Sequence, residues 1–213
     1  MNDDKTQQCS FKIVLVGNSA VGKSSIITRY IDNIFSENFF SNVTIGIFHK
    51  DIIMNDGEIV KLHIWDSSGQ EKYRAIPKLE FQDSQCVIFV YDITNLQSFK
   101  SISDFWYEEI KKNVQENILL YLVGNKSDLS EFIEVDETLR DEFLIKKDLK
   151  FKEVSAYNGN NIKELFEEIA EHLRQIRMNH TERINSFSLP LSFENDLSSR
   201  TSEKKRNESS CCL

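Results

Sequence analysis

Hydrophobic positions fall into short runs and helical stripes that alternate along the chain. Phe11 to Val16 (FKIVLV) is a β-branched apolar run ending at Gly17, the pattern of a strand buried on both faces. Lys23 to Tyr30 then follows a helical pattern. Two alternating runs, roughly 47–54 and 59–65, flank Asn55-Asp56-Gly57-Glu58 and predict a hairpin. Further on come a strand at 86–91, a helix around 98–113, a strand at 118–123, a helix around 136–147 and a strand at 151–155. The last helix is the sharpest. Ile162, Leu165, Phe166, Ile169, Leu173 and Ile176 recur at helical spacing as a core face, and Asn161 with Glu164 predicts a capping pair.

Strands alternating with helices imply parallel crossovers, an α/β fold with helices on both sheet faces, and a ligand site at the carboxyl ends of the strands. The pattern weakens at both ends. Residues 1–9 form a polar extension with none of the apolar run of a secretory signal, 10–177 hold the globular domain, and 178–213 are serine-rich, glycine-free and aperiodic. That last segment reads as a disordered tail.

Charge narrows the partners. The net charge is −8, which argues against nucleic acid, since phosphate backbones need a basic footprint. Within 178–213, Arg183, Arg200, Lys204, Lys205 and Arg206 balance Glu182, Glu194, Asp196, Glu203 and Glu208, so the deficit belongs to the preceding residues. No apolar stretch is long enough to span a bilayer. Of the four cysteines, Cys86 lies in the run CVIFVY as a small buried hydrophobe, and the usage of Cys9, Cys86, Cys211 and Cys212 fits a reducing cytosol. His49, His63, His172 and His180 show no metal-ligand spacing and read as surface or sheet residues.

The loops at the strand ends carry the chemistry. Gly17-Asn18-Ser19-Ala20-Val21-Gly22-Lys23-Ser24 matches G-x-x-x-x-G-K-[ST] between a strand and a helix. There backbone N–H groups curl around phosphate oxygens, Lys23 reaches the β- and γ-phosphates, and Ser24 offers its hydroxyl to Mg²⁺. Asp66 ends a hairpin strand where a carboxylate reaches Mg²⁺, Gly69 brings an N–H to the γ-phosphate, and Gln70 is placed to orient an attacking water. Asn125-Lys126-Ser127-Asp128 follows the strand at 118–123 and selects the base, because the Asp128 carboxylate accepts from guanine N1–H and N2–H₂, a pair that adenine lacks. Lys126 lays its stem along the ring, and Ser155-Ala156 offers a backbone N–H to the guanine carbonyl.

With GNSAVGKSS, TIG at Thr44 to Gly46, KLHIWDSSGQEKY, FVYDITNLQSF, VGNKSDL and EVSA in place, the chain resembles the Ras superfamily of small GTPases and, within it, the Rab family. The resemblance implies a P-loop G domain with a six-stranded, mostly parallel sheet and about five helices. It also implies that nucleotide contacts extend through Ser25. Thr44 is then the first-switch threonine on Mg²⁺ and γ-phosphate, and Phe35 caps the base. Two loops, around 36–48 and 66–80, would switch with GTP and GDP. Partners implied are effector proteins, an exchange factor, a GTPase-activating protein, a prenylation escort and a GDP-dissociation inhibitor. Ser67-Ser68 stands where the family usually reads Thr-Ala, putting an extra hydroxyl beside the γ-phosphate, and Tyr157 stands where a lysine is common.

The chain closes on Ser210-Cys211-Cys212-Leu213. A C-a-a-X signal needs cysteine where Ser210 stands, so Cys211 and Cys212 resemble the Rab double-geranylgeranylation ending. That implies attachment to the cytosolic face of an endomembrane or the plasma membrane. Hydrolysis is expected to be slow, since no arginine is evidently placed to act in cis; a partner's arginine supplies roughly 10³–10⁵-fold. Two other readings stand beside this one. One is a non-hydrolysing Rab-like membrane adaptor; the other is a P-loop kinase for a small metabolite, which has no use for Asn125–Asp128.

Overall fold

Strands that are apolar on both faces need cover on both faces, and the computed structural model, which describes residues 9–36, 46–67, 81–115 and 117–187, supplies it. The strands are β1 (Cys9–Val16), β2 (Gly46–Ile53), β3 (Ile59–Asp66), β4 (Cys86–Asp92), β5 (Leu119–Asn125) and β6 (Lys150–Glu153). They form one sheet in the order β2-β3-β1-β4-β5-β6. All neighbours are parallel except β2 and β3, whose hairpin pairs Ile53 with Ile59 and Gly46 with Asp66. Among the described residues the α-helices are α1 (Lys23–Asp32), α2 (Leu96–Ser101), α3 (Tyr107–Lys111), α4 (Glu137–Lys147) and α5 (Ile162–Phe187). A π-helical turn, Ile102–Trp106, joins α2 to α3, and a 3₁₀ turn spans Ser127–Phe132.

Two hydrophobic layers result. Alternate residues of β1 serve each: Ile13 and Leu15 join Ile26 and Ile27 of α1 with Leu165, Phe166 and Ile169 of α5. Val14 and Val16 join Phe99, Ile102, Trp106 and Phe143 on the opposite face. At about 25 cal/mol per Å² of apolar surface removed from water, this two-sided burial is the main force holding the sheet. It also fixes where the loops go. Every strand parallel to β1 ends at the same sheet edge, so the segments after Val16, Asp66, Asp92, Asn125 and Glu153 gather there.

The expected elements shift in instructive ways. β1 starts at Cys9, a buried residue of the first core layer, so the polar extension ends before it. β5 continues through Gly124 into Asn125, two residues beyond the apolar run, because Asn125 still pairs with Asp92 in the ladder. Asp136 is the N-cap of α4, accepting from Thr138 and Leu139 N–H. The Asn161–Glu164 capping pair gives way to another arrangement. Asn161 adopts a left-handed φ of 57° and donates its side-chain amide to the Glu153 carbonyl at 2.9 Å. Ile176, expected on the core face, is 42% exposed beyond the sheet's reach. The predicted tail at 178 is corrected too: α5 runs on to Phe187, carried by Arg177, Glu182 and their polar neighbours. A polar helix that outruns its core leaves no apolar periodicity to read.

Candidate functional site

The phosphate loop is shaped by the strands it crosses. A Cβ on Gly17 (φ 146°) would lie 2.2 Å from the Val90 carbonyl oxygen, and one on Gly22 (φ 97°) 2.2 Å from Asn125 Nδ2. Only glycine permits those approaches in that backbone conformation. Between them Ser19 and Ala20 are exposed, Ala20 is left-handed at φ 64°, and Val21 is buried. Lys23 is 3% exposed, and its Nζ donates to the carbonyls of Gly17 at 2.9 Å and Asn18 at 2.8 Å. The ammonium is thus held over the loop at the amino terminus of α1.

Asn125 joins three loops. Its Nδ2 donates to the Val21 carbonyl at 2.8 Å, and its Oδ1 accepts from Ala156 N–H at 3.1 Å. One buried amide therefore fixes the distance between the phosphate loop, the turn after β5 and the turn after β6. Asp128 Oδ1 accepts from Ser155 Oγ at 2.5 Å, which orients the carboxylate from the β6 side. Lys126, left-handed at φ 69°, ion-pairs through Nζ with Asp92 Oδ2 at 2.6 Å. Around these residues opens a cavity of about 760 Å³, lined among others by Gly22, Ser25, Phe35, Lys126, Asp128 and Ala156. That volume suits a nucleobase with its sugar.

A second corner lies at the start of α1. Ser24 Oγ donates to Asp66 Oδ2 at 2.5 Å, placing a hydroxyl and a carboxylate from opposite ends of the site side by side. Hard oxygen donors of this kind fit Mg²⁺. Ser67 is buried and gives its hydroxyl to the Leu15 carbonyl at 2.6 Å, which ties it to the sheet end. Thr44, Ser68, Gly69, Gln70, Cys211 and Cys212 lie outside the described residues.

Some lining residues escaped the sequence reading. Tyr157 and Leu129 face the cavity, and Tyr157 meets Phe35 edge-on with centroids 5.3 Å apart. Adjacency to Ser155-Ala156 was the available signal for Tyr157. Arg29, on α1, donates to the carbonyls of Ala156 at 2.8 Å and Tyr157 at 2.5 Å and so holds the turn after β6 in place. Nothing local in the sequence pairs a helix arginine with a turn 127 positions away. The side chain of Asn18, expected among the nucleotide contacts, turns instead to Trp106 and Ser101.

The Ras family sequence model matches residues 12–175. The match runs from β1 into α5 and takes in the phosphate loop, Asp66, Asn125–Asp128 and Ser155-Ala156. The chain belongs to the Ras family, the guanine-nucleotide-binding small GTPases.

Proposed function

We propose that this chain is a Rab-like switch of membrane traffic that cycles between GTP and GDP and hydrolyses GTP slowly. The observation that carries the reading is the Asn125 clasp. It draws the phosphate loop, the Asp128 carboxylate and the Ala156 N–H around one cavity of nucleoside size. In this reading Asp128 accepts from the guanine edge, Phe35 covers the base, and the N–H groups of Gly17 to Ser25 hold the phosphates with Lys23. Ser24 and Asp66, with Thr44 by resemblance, would hold Mg²⁺, which neutralises charge on the β- and γ-phosphate oxygens. Gly69 would sense the γ-phosphate and Gln70 would orient the water. The phrases KLHIWD and TIG and the Cys211-Cys212 pair support the Rab assignment.

Membrane residence then rests on lipid at Cys211 and Cys212. No described helix is long and apolar enough to cross a membrane, and a net charge of −8 is repelled by anionic lipid. Two chains anchor firmly where one binds only reversibly.

Three experiments test the reading. Calorimetry with Mg²⁺ should give binding of GDP and GTP and none of ATP; preference for adenine nucleotides would point to the kinase alternative. Single-turnover hydrolysis should show slow GTP cleavage, and its complete absence would turn the assignment to the membrane adaptor. For the anchor, Cys211→Ser with Cys212→Ser should move the protein from membranes to the soluble fraction with nucleotide affinity unchanged. A double variant that still sediments with membranes would refute it.

A further inference from the structure

A helix that widens by one residue for a single turn leaves the α-helical phase, and such turns cluster at functional sites. Here the wide turn is Ile102–Trp106, where Tyr107 N–H bonds to the Ile102 carbonyl instead of that of residue 103. It allows two sequence neighbours to point inward. Tyr107 packs against Phe89 and Phe143, and Trp106, 3% exposed, reaches the phosphate loop.

Trp106 Nε1 donates to Asn18 Oδ1 at 3.0 Å. An indole N–H can only donate, so the amide oxygen of Asn18 must face it, and Nδ2 is left to donate to Ser101 Oγ at 2.9 Å. Ser101 Oγ in turn donates to the Gln97 carbonyl of α2 at 2.9 Å. The peptide of the same Asn18 accepts from Lys23 Nζ. Polar contacts from helix α2, through Ser101, and from the π turn, through Trp106, therefore converge on Asn18, whose peptide joins them to the lysine over the phosphate site. The partners of Asn18 come from two separate stretches of chain, and the Trp106 and Lys23 side chains are buried, where hydrogen bonds weigh most.

We infer that Trp106 is a positioning residue for the phosphate loop: by holding Asn18 from behind, it keeps the Asn18 carbonyl and Lys23 in the arrangement that retains nucleotide. The inference rests on the guanine-nucleotide reading of the site. It makes the π turn a means by which anything seated on α2 and α3 changes nucleotide lifetime.

The chain has 2 tryptophans, so a Trp65→Phe background isolates the Trp106 signal. In that full-length background, removing Mg²⁺ and GDP with EDTA and phosphatase should shift Trp106 emission, because the partner of its N–H moves with the loop. Trp106→Phe keeps a packed ring and loses the donor; Asn18→Ala loses the acceptor. Each should speed release of a fluorescent GDP analogue about tenfold, the factor that about 1.4 kcal/mol represents. The double variant should be no faster than either single one. Asn18→Asp, which keeps an acceptor for the indole, should lose less than Asn18→Ala. Unchanged release rates in Trp106→Phe and Asn18→Ala, with only a lower melting temperature, would make Trp106 a packing residue and overturn the inference. Additive effects in the double variant would also overturn it. A wild-type chain that binds no guanine nucleotide would bring down the functional reading itself, a result distinct from either.

Discussion

Replacing Asn125 tests the central geometric claim, that one amide sets the spacing of three loops. Asn125 is 2% exposed, so its partners have no water to fall back on when it is removed. In Asn125→Ala the Val21 carbonyl and the Ala156 N–H, now bonded at 2.8 and 3.1 Å, both lose their partner. A buried group left unsatisfied costs about 1–3 kcal/mol, so the pair costs about 2–6 kcal/mol, divided between folding and ligand binding. Both orphaned groups lie on loops that border the cavity, so relaxation of the fold must distort the nucleotide site. At about 1.4 kcal/mol per factor of ten, half of that cost falling on binding, about 1–3 kcal/mol, lowers GDP affinity by about 5- to 140-fold. Asn125→Asp separates the two bonds. It still accepts from Ala156 N–H but sets a carboxylate oxygen against the Val21 carbonyl, so the damage falls on the phosphate loop. The assays are GDP calorimetry and thermal unfolding with and without GDP, since ligand stabilisation tracks the ratio of ligand to Kd. If Asn125→Ala binds GDP within about twofold of wild type and melts at the same temperature, the clasp is not what holds the site together.

Other perturbations follow from the same contacts. Asp128→Asn retains an acceptor for Ser155 Oγ, so the fold should persist while preference moves from guanine to xanthine nucleotides in competition binding. Ser24→Asn removes the hydroxyl beside Asp66 and should weaken Mg²⁺–GTP more than GDP by calorimetry. Equal losses would contradict that role. His63 gives a pH effect. Its Nδ1 meets His49 Nδ1 at 2.7 Å and its Nε2 meets Ser10 Oγ at 2.7 Å. Burial first, then the charges of His49 and Lys61, hold its pKa below the ordinary 6.5, with Asp51 opposing. The unfolded chain therefore takes up this proton before the folded one. Stability should be complete above about 6.5 and decline as pH falls from there towards the folded value, and His63→Gln should flatten that part of the curve.

What the sequence revealed follows from where its signals are local. Strands such as β4 and β5 show as apolar runs because both faces are covered, and the phosphate loop shows because Gly17, Gly22 and Lys23 must sit at fixed spacing on one turn. Lys126 and Asp128 were legible for the same reason. Ser155-Ala156 was legible only as an order of motifs, since its partner Asn125 lies on another strand. Arg29 and Trp106 were not legible. In sequence they are a helix residue and one more apolar residue at helical spacing, and their roles come from contacts 127 and 88 positions away. The π turn was hidden as well, because a single extra residue in a helix leaves no mark of its own in a hydrophobic stripe. The same limit produced the early end read for α5, whose sequence beyond Ile176 is mostly polar and carries no regular apolar stripe.

The phosphate loop is held from more directions than its own motif requires. β4 approaches Gly17 through the Val90 carbonyl, Asn125 of β5 takes the Val21 carbonyl, and the π turn grips Asn18. The three restraints come from three successive elements of the β4-to-β5 unit, each fixed separately in the sheet or against it, so no one of them can shift the loop without straining the others. The opposite side of the site is built differently. β2 is an edge strand that pairs only with β3, and its outer face, with Ile47 46% and Ile53 75% exposed, has no helix over it among the described residues. Its amino end at Gly46 and the carboxyl end of β3 at Asp66 are register partners, and they adjoin the two segments assigned to switching. A switch needs this asymmetry. The phosphates must stay where they are while a gained or lost γ-phosphate is felt elsewhere, and a ligand moves only what binds it differently in the two states. A loop clamped by three elements serves as the fixed reference. A hairpin attached along one edge is the part whose surroundings the nucleotide can change at least cost, and Ser24 with Asp66, 2.5 Å apart, is where the two halves touch.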